Sequence, residues 1–203
     1  MNLLHHLLVT EQLRERIGMP GGTRGQMLLG AIAPDAHTED PSVCRPDLHL
    51  TGNLVEGVLR LMDGCPGAEG RCEAFAVAVI AHLVADEITR PPRYRLPDYA
   101  PTGLIAPEDA PDRVEAACIV DITALRRALI MTRSHCPLGP LPAAATGRKR
   151  WQLLQRWPLS ADLRRAVLVE PLATVVAECA DETLARLYGS REGAALLGAC
   201  YPR

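Results

Sequence analysis

Apolar residues recur along the chain with the three-to-four spacing of amphipathic helices. The pattern predicts helices over 2–17, 22–32, 51–63, 71–89, 112–132, 148–157, 160–188 and 190–199. In the first, Leu3, Leu4, Leu7, Leu8, Leu13 and Ile17 share one broad face, and Gly18, Pro20, Gly21 and Gly22 end it. The helix at 71–89 reads differently. Its positions 74–81 are apolar on every side, which marks a helix buried in the middle of a domain. Proline-rich segments separate the helices. Residues 33–50, with Pro34, Pro41 and Pro46, are expected to form a loop, and Asp63-Gly64-Cys65-Pro66-Gly67 a turn. Residues 90–111 contain six prolines from Pro91 onwards and form the longest connection, in the manner of a lid or a linker. A further loop is expected over 134–147, and Pro171 should kink or break the apolar helix after Asp162. With no internal repeat and no boundary in composition, the expectation is an all-α fold, a single helical domain spanning 1–203.

Composition supports the helical reading. At 203 residues, 48% apolar but only 3% aromatic, the chain must fill its core with Leu, Val, Ile and Ala, which suits helix–helix packing better than a β-sandwich. The net charge of −2, with no long run of one sign, gives nucleic-acid binding no support. Lys149 is the only lysine, a preference for arginine that a codon bias explains. Seven cysteines, an odd number with no CxxC pair, argue against a disulfide framework and for a reducing, cytoplasmic setting. The start, with His5 and His6 among leucines and Glu11, Arg14, Glu15 and Arg16 following at helical spacing, is expected to be the first amphipathic helix and not a cleaved signal. No run is apolar enough to suggest a membrane span.

The chemistry concentrates in the first half. His82 and Asp86 stand at i and i+4 near the end of the buried helix, so both project from one face. Burying a carboxylate without a partner is costly, so Asp86 needs a cation or dense hydrogen bonding. Imidazole nitrogen and carboxylate oxygen are standard zinc ligands; the alternative is a plain His–Asp hydrogen-bonded pair. Five of the six histidines fall in the first 82 residues. His5 and His6 lie on the first helix, Asp35 and His37 follow Gly30-Ala31-Ile32-Ala33-Pro34, and His49 directly precedes the helix at 51.

The order of these pieces resembles the zinc-dependent phospholipase C family, whose relatives include the fungal single-strand nucleases. The resemblance covers about residues 3–90 and rests on His6 in a leucine-rich helix, the Gly30–Asp35 turn, His49, and His82-Leu83-Val84-Ala85-Asp86. It implies the fold of that family and one metal site built from Asp35, His49, His82 and Asp86. It also implies a neighbouring ion held by His6, with Asp86 bridging the two. The carboxylate at Asp35 would contact the attacking water as general base. The chain departs from the family in having no amino-terminal tryptophan. It also lacks a histidine soon after the HxxxD pair, where Arg90, Pro91, Pro92 and Arg93 stand, and a complete later HxxxE pair, since Pro111 takes the place of the histidine before Glu115. The family's third metal site is therefore expected to be absent, leaving one or two Zn2+ ions or another divalent metal.

Other residues have plainer readings beside the functional ones. His5 is expected to face another side of its helix. His37 and Glu115 are possible additional ligands or solvated residues. Arg90, Arg93 and Arg95 are a basic patch that a substrate phosphate would fit. Trp151 and Trp157 suit packing, and the cysteines suit the core. Three functions follow in order: a metal-dependent hydrolase acting on a phosphoester of a soluble small molecule, a non-hydrolytic metalloenzyme (cyclase or lyase) of specialised metabolism, and a non-catalytic protein whose helices the metal staples. Low aromatic content gives no stacking platform for single strands, and the sequence shows no interfacial anchor for a membrane substrate.

Overall fold

The computed structural model describes residues 3–36, 53–62, 71–90, 104–105, 119–132, 136, 165–168 and 170–201, to which the structural statements below refer. The all-α class holds. The helices are α1 (Leu3–Ile17), α2 (Arg24–Ala36), α3 (Leu54–Met62), α4 (Arg71–Thr89), α5 (Ile122–Thr132), α6 (Glu170–Tyr188) and α7 (Arg191–Ala199). A short 3-10 turn, Gly21–Thr23, leads into α2. Three short strands, β1 (Leu104–Ile105), β2 (Ile119–Asp121) and β3 (Arg165–Leu168), make a small antiparallel sheet in the order β1-β3-β2.

The apolar run of α4 lies at the centre. Every residue over positions 74–81 is buried, including Phe75, the chain's single phenylalanine. Around α4 pack α1, α2, α3, α6 and α7, which is why that run is apolar on all sides. Leu7, Leu8 and Leu13 of α1, Met27, Leu28, Leu29 and Ile32 of α2, and Leu172, Val175 and Val176 of α6 complete the same core. The closest approach is between α2 and α4. A Cβ built on Gly30 would stand 2.3 Å from the Phe75 carbonyl oxygen and 2.8 Å from the Ala78 Cβ, so the two backbones touch where Gly30 has no side chain. Gly18 (φ 70°) closes α1. Its N–H donates to the Glu15 carbonyl and that of Met19 to the Arg14 carbonyl, the pair of bonds that ends a helix in the Schellman manner.

Several sequence expectations are corrected here. Helix α2 does not stop at residue 32 but continues through Pro34 and Asp35 to Ala36, because a proline in the last turns removes only one ladder bond. Parts of the expected 112–132 and 160–188 helices are strands instead, where the β-branched Ile119, Val120 and Val167 pair across the sheet, Ile119 opposite Val167. Within 90–111, Leu104 and Ile105 pair with Leu168 and Val167. Pro171 breaks the expected helix as the sequence suggested, and α6 begins at Glu170 with the proline in its first turn, where its missing N–H is not needed. The 148–157 helix, Trp151 and Trp157 lie outside the described residues. No helix among the described residues is long and apolar enough to cross a membrane.

Cys136, Cys179 and Cys200 are buried thiols of the core. Burial, reinforced by Glu178, pushes Cys179 up to about 12. Burial and then Glu73 push Cys200 up to about 12 as well. At pH 8 only about one in ten thousand of either thiol would be thiolate. Iodoacetamide at pH 8 is therefore expected to leave both unmodified in the native protein and to label both in denaturant. Peptide mapping by mass spectrometry checks this, and native labelling at the rate of free cysteine would contradict their burial.

Candidate metal centre

Three helices bring four side chains to one point. His6 comes from the buried face of α1, Asp35 from the last turn of α2, and His82 and Asp86 from successive turns of α4. The leucines of α1 carry His6 into the core, where it is 1% exposed, and His82 is 1% exposed at the end of the apolar run. The two carboxylates sit further out, Asp35 at 23% and Asp86 at 25% side-chain exposure. The cluster thus has a dry wall of imidazoles and a wetter mouth of carboxylates.

The distances are those of a ligand set. The Asp86 carboxylate is shared, with Oδ1 3.3 Å from Nε2 of His6 and Oδ2 3.3 Å from Nε2 of His82. Nε2 of His82 is also 3.8 Å from Oδ1 of Asp35. Ligand atoms of His6, Asp35 and His82 all lie within 4.8 Å of one another, so this group is able to hold a metal ion. Bonds of about 2.0–2.2 Å arranged tetrahedrally put ligand atoms roughly 3.3–3.6 Å apart, longer than an ordinary hydrogen bond. The observed separations bracket that range.

The protonation pattern points the same way. Nδ1 of His82 lies 2.7 Å from the carbonyl oxygen of Ala31. A carbonyl oxygen only accepts, so Nδ1 carries the ring proton and donates. That leaves Nε2 as the ring atom facing Asp86 and Asp35. The ring of His6 is stacked on that of His82 at 3.7 Å between centroids and 13° between planes. Burial, and then this neighbouring His82 ring, push His6 down to about 4 despite the pull of Asp86, so His6 is neutral at pH 7. Neither nitrogen of His6 makes a hydrogen bond among the described residues. Burial favours the neutral acid at Asp86, but the two facing imidazoles outweigh it and hold this carboxylate well below its ordinary range. A neutral imidazole at His6 and an ionised carboxylate at Asp86 are the forms in which each binds a cation.

Of the residues singled out in the sequence, the structure brings together His6, Asp35, His82 and Asp86. His5 is buried in α1 but is not in the converging group. His37, His49, Glu115, Arg93 and Arg95 lie outside the described residues, and Arg90 is exposed at the end of α4. Sequence reasoning missed the Ala31 carbonyl, a backbone group with no side-chain signature, and the stacking of His6 on His82. The signal toward the first was a proline three residues after Ala31, read in the sequence as the start of a loop. Compared with protein-family models, with curated proteins and with solved structures, the chain finds no match in any of the three.

Proposed function

We propose that this chain is a metal-dependent hydrolase that binds zinc, or a similar divalent ion, and cleaves a phosphoester of a soluble small molecule. The observation that carries the reading is the convergence of His6, Asp35 and His82 from three helices at ligand spacing, with Asp86 3.3 Å from each imidazole, the imidazoles buried and the carboxylates at the mouth. The donor set of two imidazoles and two carboxylates suits zinc, iron or manganese. Asp86 presents one oxygen to each imidazole, so it serves a single ion or bridges two. When bound, such an ion supplies Lewis acidity and a water of lowered pKa. Asp35, at the exposed side, is placed to take a proton from the attacking water, while His6 and His82 close off the inner side. The order of motifs, which resembles that of the zinc-dependent phospholipase C family, supports a phosphoester as substrate. The half-open mouth favours catalysis over a closed, purely structural site, whose ligands would fill every position.

Metal content tests this directly. Elemental mass spectrometry on protein purified without a metal-affinity tag is expected to give one or two zinc, iron or manganese ions per chain. The loaded protein should hydrolyse members of a panel of soluble phosphomonoesters and diesters. Asp35→Asn, assayed at metal concentrations that saturate it, is expected to lose activity by about 100-fold or more, the contribution of a positioned general base. A folded wild-type protein that takes up no divalent metal would overturn the proposal, and full activity in Asp35→Asn would remove the role of that residue.

A further inference from the structure

The tautomer of His82 has a cause in the neighbouring helix. Unperturbed neutral histidine has no partner that forces the proton onto Nδ1; here the Ala31 carbonyl, 2.7 Å away, does so. In a regular helix that carbonyl points along the axis toward the N–H four residues on, not sideways at another helix. Helix α2 holds Pro34 inside it and runs on to Ala36. Proline brings no N–H for the carbonyl of Gly30, and its ring crowds that carbonyl, which opens the ladder of that turn at this bond. Ala31 is the next residue of that opened turn. Gly30 itself sits against the Phe75 carbonyl, so the opened turn lies at the closest approach of α2 to α4.

From this we infer that Pro34 is a positioning residue: by removing a ladder bond in the last turns of α2 it directs the Ala31 carbonyl at Nδ1 of His82, holds a proton on that nitrogen and sets Nε2 facing Asp35 and Asp86. The inference rests on the metal-centre reading for its purpose, but not for its geometry. It gives one residue two jobs within a single turn. Pro34 orients His82 through the backbone, and it sets the turn from which Asp35, the next residue, stands 3.8 Å from the same imidazole. Partners outside the ligand sphere that fix the ring of a ligating histidine typically change metal affinity by about 10- to 100-fold when lost.

The test uses the full-length protein and Pro34→Ala, which restores the helical N–H. Two-bond proton–nitrogen correlation spectra at pH 8 report which nitrogen of His82 is protonated in the metal-free state. Wild type is expected to show the Nδ1–H form, and Pro34→Ala to shift toward Nε2–H. Zinc affinity, measured by competition with a chromogenic chelator, is expected to fall about 10- to 100-fold in the variant. Wild-type His82 found in the Nε2–H form would overturn the inference, whether or not the variant folds. So would a Pro34→Ala protein whose His82 tautomer and zinc affinity match wild type, an outcome that leaves the metal reading intact. If wild type binds no zinc but its His82 is Nδ1–H and loses that form in the variant, the metal reading fails and the positioning role of Pro34 stands.

Discussion

An Asp86→Asn protein is expected to fold and to lose its metal. Asp86 is in contact with both imidazoles, through Oδ1 to His6 and Oδ2 to His82, each at 3.3 Å. Asparagine keeps the volume but removes the charge and replaces one acceptor with an N–H donor. That donor suits a neutral Nε2, so the metal-free variant loses little stability and no buried charge is left behind. For the metal the same change is severe. Zinc binding at a four-ligand protein site is worth roughly 10–16 kcal/mol, so one ligand accounts for about 3 kcal/mol, or a factor of about 100 in affinity. Zinc at 100 times its Kd stabilises a folded chain by about 2.7 kcal/mol. In a chain of this length that raises Tm by roughly 5–10 °C. Wild type should show this rise and Asp86→Asn should not, with a Kd at least about 100-fold weaker by chelator competition. Equal affinities would mean that Asp86 is not a ligand, and the centre would have to be sought elsewhere.

How much of this was legible in the sequence depends on which physical feature carries each part. The buried helix was fully legible, because an apolar run followed by a HxxxD pair has one helical solution, and α4 spans the predicted 71–89. The first helix was equally clear from its leucines and from Gly18, and it delivered His6 as expected. Asp35 was identified as a site residue but assigned to a loop, since Pro34 reads as a helix stop. In the structure the packing of α2 against α4 outweighs one lost ladder bond, and the helix runs on. The strands were missed because Arg165-Ala166-Val167-Leu168 is apolar enough for either element, and pairing with β1 and β2 decides between them. Least legible were the relations that exist only after packing. The stacking of His6 on His82 joins two helices that no spacing rule connects, and the Ala31 carbonyl is a backbone atom whose role depends on where α4 lies.

That dependence makes Gly30 a sensitive position away from the ligands, and Gly30→Ala is expected to damage both the fold and the centre. In an exposed helix the exchange would stabilise by up to about 1 kcal/mol, since glycine is the poorer helix former. Here the new methyl group would meet the Phe75 carbonyl oxygen at 2.3 Å and the Ala78 Cβ at 2.8 Å. Neither neighbour is the end of a flexible side chain, so no rotamer change relieves the contact and the helices must separate. Overpacking of this kind costs about 1–3 kcal/mol or more, which outweighs the gain in propensity. A net loss of about 1–2 kcal/mol corresponds to a fall in Tm of roughly 2–8 °C. Separation also draws the Ala31 carbonyl and Asp35 away from His82, so zinc affinity should fall with stability. Gly198→Ala is the control, because it lies on the exposed side of α7 with nothing within 4 Å of the added carbon. It is expected to leave Tm unchanged or slightly higher, with wild-type affinity. Thermal unfolding and zinc titration of the two variants side by side separate helix propensity from close approach. A Gly30→Ala protein as stable as the Gly198→Ala control would show that α2 and α4 do not touch at this point, and the hydrogen bond from His82 to Ala31 would lose its structural basis with it.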